Sequence, residues 1–269
     1  LTVFGLMSDQ FAPLTDLTKT RILVSNDDGV DAPGIRLLEK VARTLSDDVW
    51  VVAPHSEQSA VAHSLTTRRP LRIIKLDERR YAVDGTPTDS VLLGVRQLLK
   101  DDRPTLLLSG INRGGNLGED VTYSGTVAAA MEGTLLGIPS IALSQQCNGN
   151  APVRWATAEQ WAPDLIRRLA AAGWPRNVLI NVNFPDIAAD LVTGIAAARQ
   201  GKRKLGDELV ERIDPRGQPY YWIGGQRHED RGLAGTDLEA IYRGKVVVTP
   251  LCVDFTHQSS LHAMNALFP

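Results

Sequence analysis

From residue 21 onward the chain alternates between two rhythms of apolar and polar positions. Short runs rich in branched aliphatic residues fall at 21–25, 49–53, 105–109, 138–143 and 178–182. Runs of that length, bounded by turn residues, read as strands buried in a sheet. Helical spacing lies between several of them. In 34–46, Ile35, Leu38, Ala42 and Leu45 recur at intervals of three and four, the stripe one face of a helix requires. A second helix opens at Thr86-Pro87, threonine capping and proline first in the turn, and runs to about Lys100. A third starts near Ser124 and ends at Gly137-Ile138-Pro139, and a fourth covers about 156–172. Strands alternating with helices predict an α/β fold whose sheet is mostly parallel and covered on both faces.

Beyond about residue 190 the pattern changes. Residues 200–232 are dense in Gly, Arg, Lys and Asp, with a turn at Asp214-Pro215-Arg216-Gly217 and a strand-like Tyr220-Tyr221-Trp222-Ile223. This stretch reads as an extended β-hairpin arm, suited either to subunit contact or to a plain surface position. The chain returns through a short helix at 236–242 and a strand at 245–249, and 250–269 forms a tail. Residues 1–20 show no period and read as a poorly ordered leader, with Met7 a candidate downstream start; 21–269 reads as one domain.

Composition narrows the class without naming a chemistry. Hydrophobic residues make up 43 % and charged residues 22 %, as in ordinary globular chains. A net charge of −2 gives no electrostatic ground for binding a nucleic-acid polymer or an anionic membrane. Cys147 and Cys252 have no metal-site spacing, so free thiols in a reducing compartment are expected. No apolar run approaches the roughly 20 residues of a membrane span. The first residues lack the basic start of a signal peptide, and a cytoplasmic location is expected.

The chemistry concentrates in three loops that follow predicted strands, the edge at which open α/β sheets bind ligands. The first carries Asn26-Asp27-Asp28-Gly29, the second His55-Ser56-Glu57-Gln58-Ser59, and the third runs from Ser109 through Asn112 and Asn116 to Asp120. Adjacent Asp27 and Asp28 repel each other. They fit either a solvated turn that caps the next helix or a divalent cation site. Carboxylates, a hydroxyl and an amide carbonyl are hard ligands, suited to Mg²⁺, Mn²⁺ or Ca²⁺ rather than zinc. The third loop feeds Ser124-Gly125-Thr126 and a run of alanines. A helix starting there offers free N–H groups to a phosphate, or is simply a well-capped helix. Neither a dinucleotide-binding nor a P-loop glycine pattern is present, nor a serine-hydrolase elbow, and the five histidines form no ligand set by spacing.

Four segments stand out together: Ile22–Val30 with Ala32-Pro33-Gly34-Ile35; Val51–Pro54 leading to Ser59; Gly85-Thr86-Pro87-Thr88-Asp89; and Leu107–Asn112 with Asn116-Leu117-Gly118 and Tyr123–Gly133. As a set they resemble the SurE family, the survival-protein nucleotidases. Asn181-Val182-Asn183-Phe184-Pro185, Thr236-Asp237, Thr249-Pro250-Leu251 and Asp254 extend the likeness, in collinear order, over about 21–257. Arg113-Gly114-Gly115 departs from the family's more usual small residues between the two loop asparagines.

The resemblance implies a Rossmann-like three-layer α/β/α fold. It implies a phosphatase that removes phosphate from nucleoside 5′-monophosphates, and often 3′-monophosphates, with some members also trimming short polyphosphate. One divalent cation per subunit, Mg²⁺ or Mn²⁺, would be held by Asp27, Asp28, Ser59 and Asn112, with Asp27 and Asp28 catalytic. Asn116, Ser124, Gly125 and Thr126 would hold the phosphate. A homodimer or homotetramer is implied, with C-terminal elements packed between subunits. Because no activated Ser, Cys or His nucleophile is evident, hydrolysis by metal-activated water is the expected route. Two rivals stand beside it: an aspartyl-phosphate phosphatase, whose acids are spaced D-x-D rather than adjacent, and a non-catalytic nucleotide-binding module.

Overall fold

The computed structural model describes residues 10–149, 151–205, 209–223 and 227–268. Its centre is a nine-stranded sheet in the order β3-β4-β2-β1-β5-β6-β7-β13-β8. The strands are β1 (Ile22–Ser25), β2 (Val49–Pro54), β3 (Ile73–Asp77), β4 (Arg80–Val83), β5 (Leu106–Arg113), β6 (Ser140–Gln145), β7 (Val178–Phe184), β8 (Ile195–Ala197) and β13 (Val246–Cys252). From β4 to β7 every neighbouring pair is parallel. At the margins β3 runs antiparallel to β4, and β13 antiparallel to β7. All five strands expected in the first 182 residues are present, with β5, β6 and β7 reaching two to four residues further than the apolar runs.

Alternation along each strand sends side chains to two separate cores. Ile22 and Val24 join the face covered by α1 (Pro33–Arg43) and α4 (Trp155–Ala172). Leu23 and Leu107 join the face under α2 (Pro87–Leu93) and α3 (Gly125–Leu135). Residues buried on both faces are what a parallel sheet with two helical layers demands. In α1, Ile35, Leu38, Val41 and Ala42 are buried, so the three-and-four spacing marks the face that packs. Thr86 and Asp89 form a reciprocal capping box that starts α2. That helix stops its regular winding earlier than expected: from Gly94 the turns widen, with Leu99 N–H donating to Gly94 O at 2.9 Å.

Residues 10–20, expected to be an unanchored leader, are held down. Phe11 is buried edge-on against Trp174, and its N–H donates to Trp174 O at 2.9 Å. Leu17 is buried in the same core. Residues 1–9 lie outside the described residues.

The arm is built from two separate ribbons. At its base β9 (Arg203–Leu205) pairs with β12 (Arg227–Glu229), and further out β10 (Leu209–Ile213) pairs with β11 (Pro219–Ile223). Asp214 closes the outer hairpin by accepting from the N–H groups of Arg216 and Gln218, each at 2.8 Å. After α5 (Asp237–Tyr242) and β13, the tail forms α6 (Gln258–Asn265), exposed along its whole length. The margin hairpin β3-β4, the three-residue β8 and α6 were not anticipated. Among the described residues no helix is long and apolar enough to cross a membrane, and Cys147 and Cys252 are free.

Candidate active site at the β1–β5 crevice

The chain builds outward from β1 in one direction through β2 and β4, then returns to place β5 on the other flank of β1. The crevice between the carboxyl ends of β1 and β5 is therefore the topological switch point, where open α/β sheets receive ligands. A cavity of about 260 Å³ lies there. Of the residues singled out in the sequence, Asp27, Asp28, Ser59, Asn112, Asn116 and Ser124 all line it.

Asp27 is buried beneath the start of α3. Its carboxylate accepts a hydrogen bond from the Thr126 hydroxyl, and the backbone N–H groups of Gly125 and Thr126 favour its charged form. A Cβ on Gly125 would stand 2.6 Å from Asp27 Cβ, so only glycine lets the helix start come this close. Gly125 and Thr126 are thus turned to Asp27 and are not on the cavity wall, whereas Ser124 is. The Ser124 hydroxyl also caps α3, accepting from Val127 N–H at 3.1 Å.

Asp28 sits beside it, its Oδ2 accepting from Arg113 N–H at 3.2 Å. Burial, and secondly the Asp27 charge, push the Asp28 carboxyl up to about 6. Burial also raises Asp27, against the pull of its hydrogen bonds. Asn112 donates its amide nitrogen to Gly114 O at 2.8 Å, which leaves the amide oxygen as the atom available to a ligand. Ser59 is exposed on its loop and donates to Glu57 at 2.7 Å. That loop is tied down on either side of Ser59: Gln58 N–H donates to Asp27 O at 2.8 Å, and Ala62 N–H to Tyr123 O at 3.2 Å.

Asn116 is fixed from β7. Its N–H donates to Asn183 Oδ1 at 2.8 Å, while its carbonyl accepts from the side-chain amides of Asn181 at 2.9 Å and Asn183 at 3.0 Å. Its own amide nitrogen donates to Ser144 Oγ at 2.7 Å. Residues that sequence reasoning left without a role also gather here. Glu57, Arg113, Asp120 and Tyr123 line the cavity. Buried Arg203, from the base of the arm, lies 3.1 Å from Asp120 and 3.2 Å from Glu229. The Asn-x-Asn spacing in β7 put both asparagines on one face, a signal available in the chain. Nothing in the local pattern around Arg203 foretold its burial.

The donor set is consistent with a hard divalent cation. Two carboxylates that resist carrying charge together, a hydroxyl and an amide oxygen can share one small ion. Among the described residues no group of three His, Cys, Asp or Glu side chains is arranged to hold a metal. A cation here would therefore rely on neutral oxygens from Ser59 and Asn112 to complete its shell.

Fold and site together define a doubly wound α/β protein with an acidic, oxygen-lined cavity at its switch point. Membership is more specific than that. The chain belongs to the Survival protein SurE family, whose model matches residues 22–207. It is 67 % identical over 258 residues to the 5′-nucleotidase SurE of Paramagnetospirillum magneticum, covering 96 % of this chain and 99 % of that one. It is 59 % identical over 261 residues to the 5′-nucleotidase SurE of Rhodospirillum rubrum, covering 96 % and 100 %. The crystal structure of the SurE protein from Aquifex aeolicus superposes with a TM-score of 0.81 at 42 % identity, covering 92 % of this chain and 99 % of that chain.

Proposed function

We propose that this chain is a metal-dependent phosphatase that hydrolyses nucleoside 5′-monophosphates, and 3′-monophosphates, to nucleoside and phosphate, with short polyphosphate as a further substrate. The observation that carries this reading is the convergence of Asp27, Asp28, Ser59, Asn112, Asn116 and Ser124 on one cavity, in a chain 67 % identical to a 5′-nucleotidase. A divalent cation, Mg²⁺ or Mn²⁺, held by Asp27, Asp28, Ser59 and Asn112 would neutralise charge on the phosphoryl group and activate water.

The protein's own groups do the remainder. Thr126 and the N–H groups of Gly125 and Thr126 hold Asp27 in one orientation, so it need not reorganise when substrate arrives. Ser124 and Asn116 present polar atoms to the phosphate from a helix start and from a loop braced against β7. Asp27 and Asp28 are the catalytic carboxylates of this reading, and without the cation burial and the Asp27 charge push Asp28 up to about 6. No D-x-D pair accompanies β1, which argues against a phospho-aspartate route.

Exposed apolar side chains support a homo-oligomer, dimer or tetramer. Tyr221, Trp222 and Ile223 on the outer ribbon and Phe255, Leu267 and Phe268 on the tail are each more than half exposed. Such concentrations mark contact surfaces.

The deciding experiment is a phosphate-release screen over 5′- and 3′-nucleotides and polyphosphate, with Mg²⁺, with Mn²⁺ and with chelator. Release from 5′-nucleotides that disappears on chelation is expected. Activity undiminished by thorough chelation, or a trapped phospho-aspartate, would overturn the reading.

A further inference from the structure

A second hollow opens from the rim of the phosphate cavity. It encloses about 550 Å³ and shares three wall residues with that cavity, Asp28, Glu57 and Arg113. Its remaining walls come from the first turns of two helices: Pro33 and Gly34 of α1, and Trp155 of α4 with Pro152 and Val153 before it. We infer that this recess receives the base of the nucleotide, with the Trp155 indole as its stacking wall and Arg113 between base and phosphate sites. The inference rests on the phosphatase reading above and adds where the rest of the substrate lies.

Three observations converge on it. The first is continuity, since a ligand whose phosphate faces Asp28 already borders the recess at three residues. The second is chemistry. An indole face flanked by prolines and a valine is a platform on which any base can stack. A guanidinium adds attraction to a π system or to an anion. Arg113 is exposed and makes no ion pair among the described residues, while its backbone N–H is tied to Asp28. The third is rigidity. Trp155 is half-buried, packed against the α1–α4 core. A Cβ on Gly34 would lie 3.3 Å from the indole and 1.9 Å from Ile111 O, so glycine lets ring and strand close on α1 together. A wall held in place before binding loses little entropy on binding.

A larger hollow on the other flank, about 1050 Å³, fits a base less well. It meets the phosphate cavity only at Ser124, and its walls are mainly aliphatic, including Val127, Met131 and Leu251. Among the described residues its aromatic rings are His63 and Phe255, the latter 85 % exposed.

The test measures kcat/KM of the full chain for a nucleoside 5′-monophosphate and for ribose 5-phosphate, which has no base. In Trp155→Leu the ratio of the two is expected to fall about tenfold, the size of one base–aromatic stacking contact. Trp155→Phe, which keeps a ring, should hold the ratio within about threefold of wild type. Arg113→Ala, at an exposed side chain, tests the same recess without disturbing a core and should lower the ratio severalfold. A ratio unchanged in both Trp155→Leu and Arg113→Ala would overturn the assignment, as would a selective loss of nucleotide activity in Met131→Trp with Trp155→Leu unaffected. Failure of the wild-type protein to release phosphate from either compound would instead defeat the phosphatase reading itself.

Discussion

The Asp27 side chain occupies the space that any Cβ on Gly125 would need, 2.6 Å from Asp27 Cβ and 2.9 Å from Asp27 Oδ2. Two elements 98 positions apart in the chain thus touch through the absence of a side chain. Gly125→Ala should displace the carboxylate and lower kcat at least a hundredfold while the protein still folds, since alanine suits a helix. Steady-state rates beside circular dichroism check this. Thr126→Val removes only the hydroxyl bonded to Asp27. Loss of one hydrogen bond to a charged group predicts a ten- to hundredfold drop in activity, largest at low metal concentration.

Asp28→Asn should abolish turnover, by about a thousandfold or more, with little effect on the fold. It also removes a carboxyl that burial and Asp27 make costly to ionise. In chelator near pH 7 the variant should therefore melt above the wild type, by roughly 2–4 °C if about 1 kcal/mol is recovered. Near-wild-type activity in this variant would remove Asp28 from the machinery.

The same carboxyl sets a pH dependence. Its folded value of about 6 lies above the ordinary 3.8, so between those limits the folded protein holds more protons than the unfolded chain. Stability of the metal-free protein then falls as pH rises through that window and levels off above it. Protons and cation compete for the site, so half-saturation by Mg²⁺ or Mn²⁺ should demand more metal as pH drops below about 6. Thermal unfolding and metal titration at pH 5, 6 and 7 read both effects. A metal affinity independent of pH across that range would contradict them.

His63 Nε2 lies 2.9 Å from Oε2 of the buried Glu132, pinning the Ser59 loop to the flank of α3. Ala60 and Ala62 adopt left-handed backbone, φ 58° and 52°, within that loop, a conformation alanine keeps only when its surroundings impose it. His63→Leu should release the strain and raise the metal concentration for half activity about tenfold. His63→Gln, whose amide can still donate to Glu132, should restore most of it. A metal requirement unmoved by His63→Leu would reduce the pair to packing.

Trp222 on the outer ribbon is 65 % exposed. If the ribbon is a subunit contact, Trp222→Asp should lower the mass found by light scattering toward that of a single chain. An unchanged mass would place the contact elsewhere.

What could be read from the chain follows from where each signal is stored. The strands of the central sheet announce themselves because Ile22, Leu23 and Val24 are all buried, one face or the other. The starts of α2 and α3 were visible in Thr86-Pro87 and Ser124, since capping is a local transaction between neighbours. The β3-β4 hairpin was missed because β3 is short and lies at the sheet margin, where its alternating Ile74 and Leu76 stay exposed and no buried face singles the run out. The site residues were named through the family likeness, but their division of labour was not. Gly125 and Thr126 serve Asp27 instead of lining the cavity, which depends on how α3 meets β1. Asn116 depends on two side chains from β7 more than sixty positions away. Phe11 joined the core through Trp174, a partner no local pattern can indicate.

The bracing of Asn116 by Asn181 and Asn183 has a consequence for how this protein can change over time. The groups that would cleave the phosphate rest on β1, β5, β7 and α3, where a shift in any one disturbs the others. The walls of the neighbouring recess that it does not share with the phosphate cavity hang from the first turns of α1 and α4. Altering those walls leaves the asparagine brace untouched, so preference for one substrate over another can drift while the reaction is inherited intact.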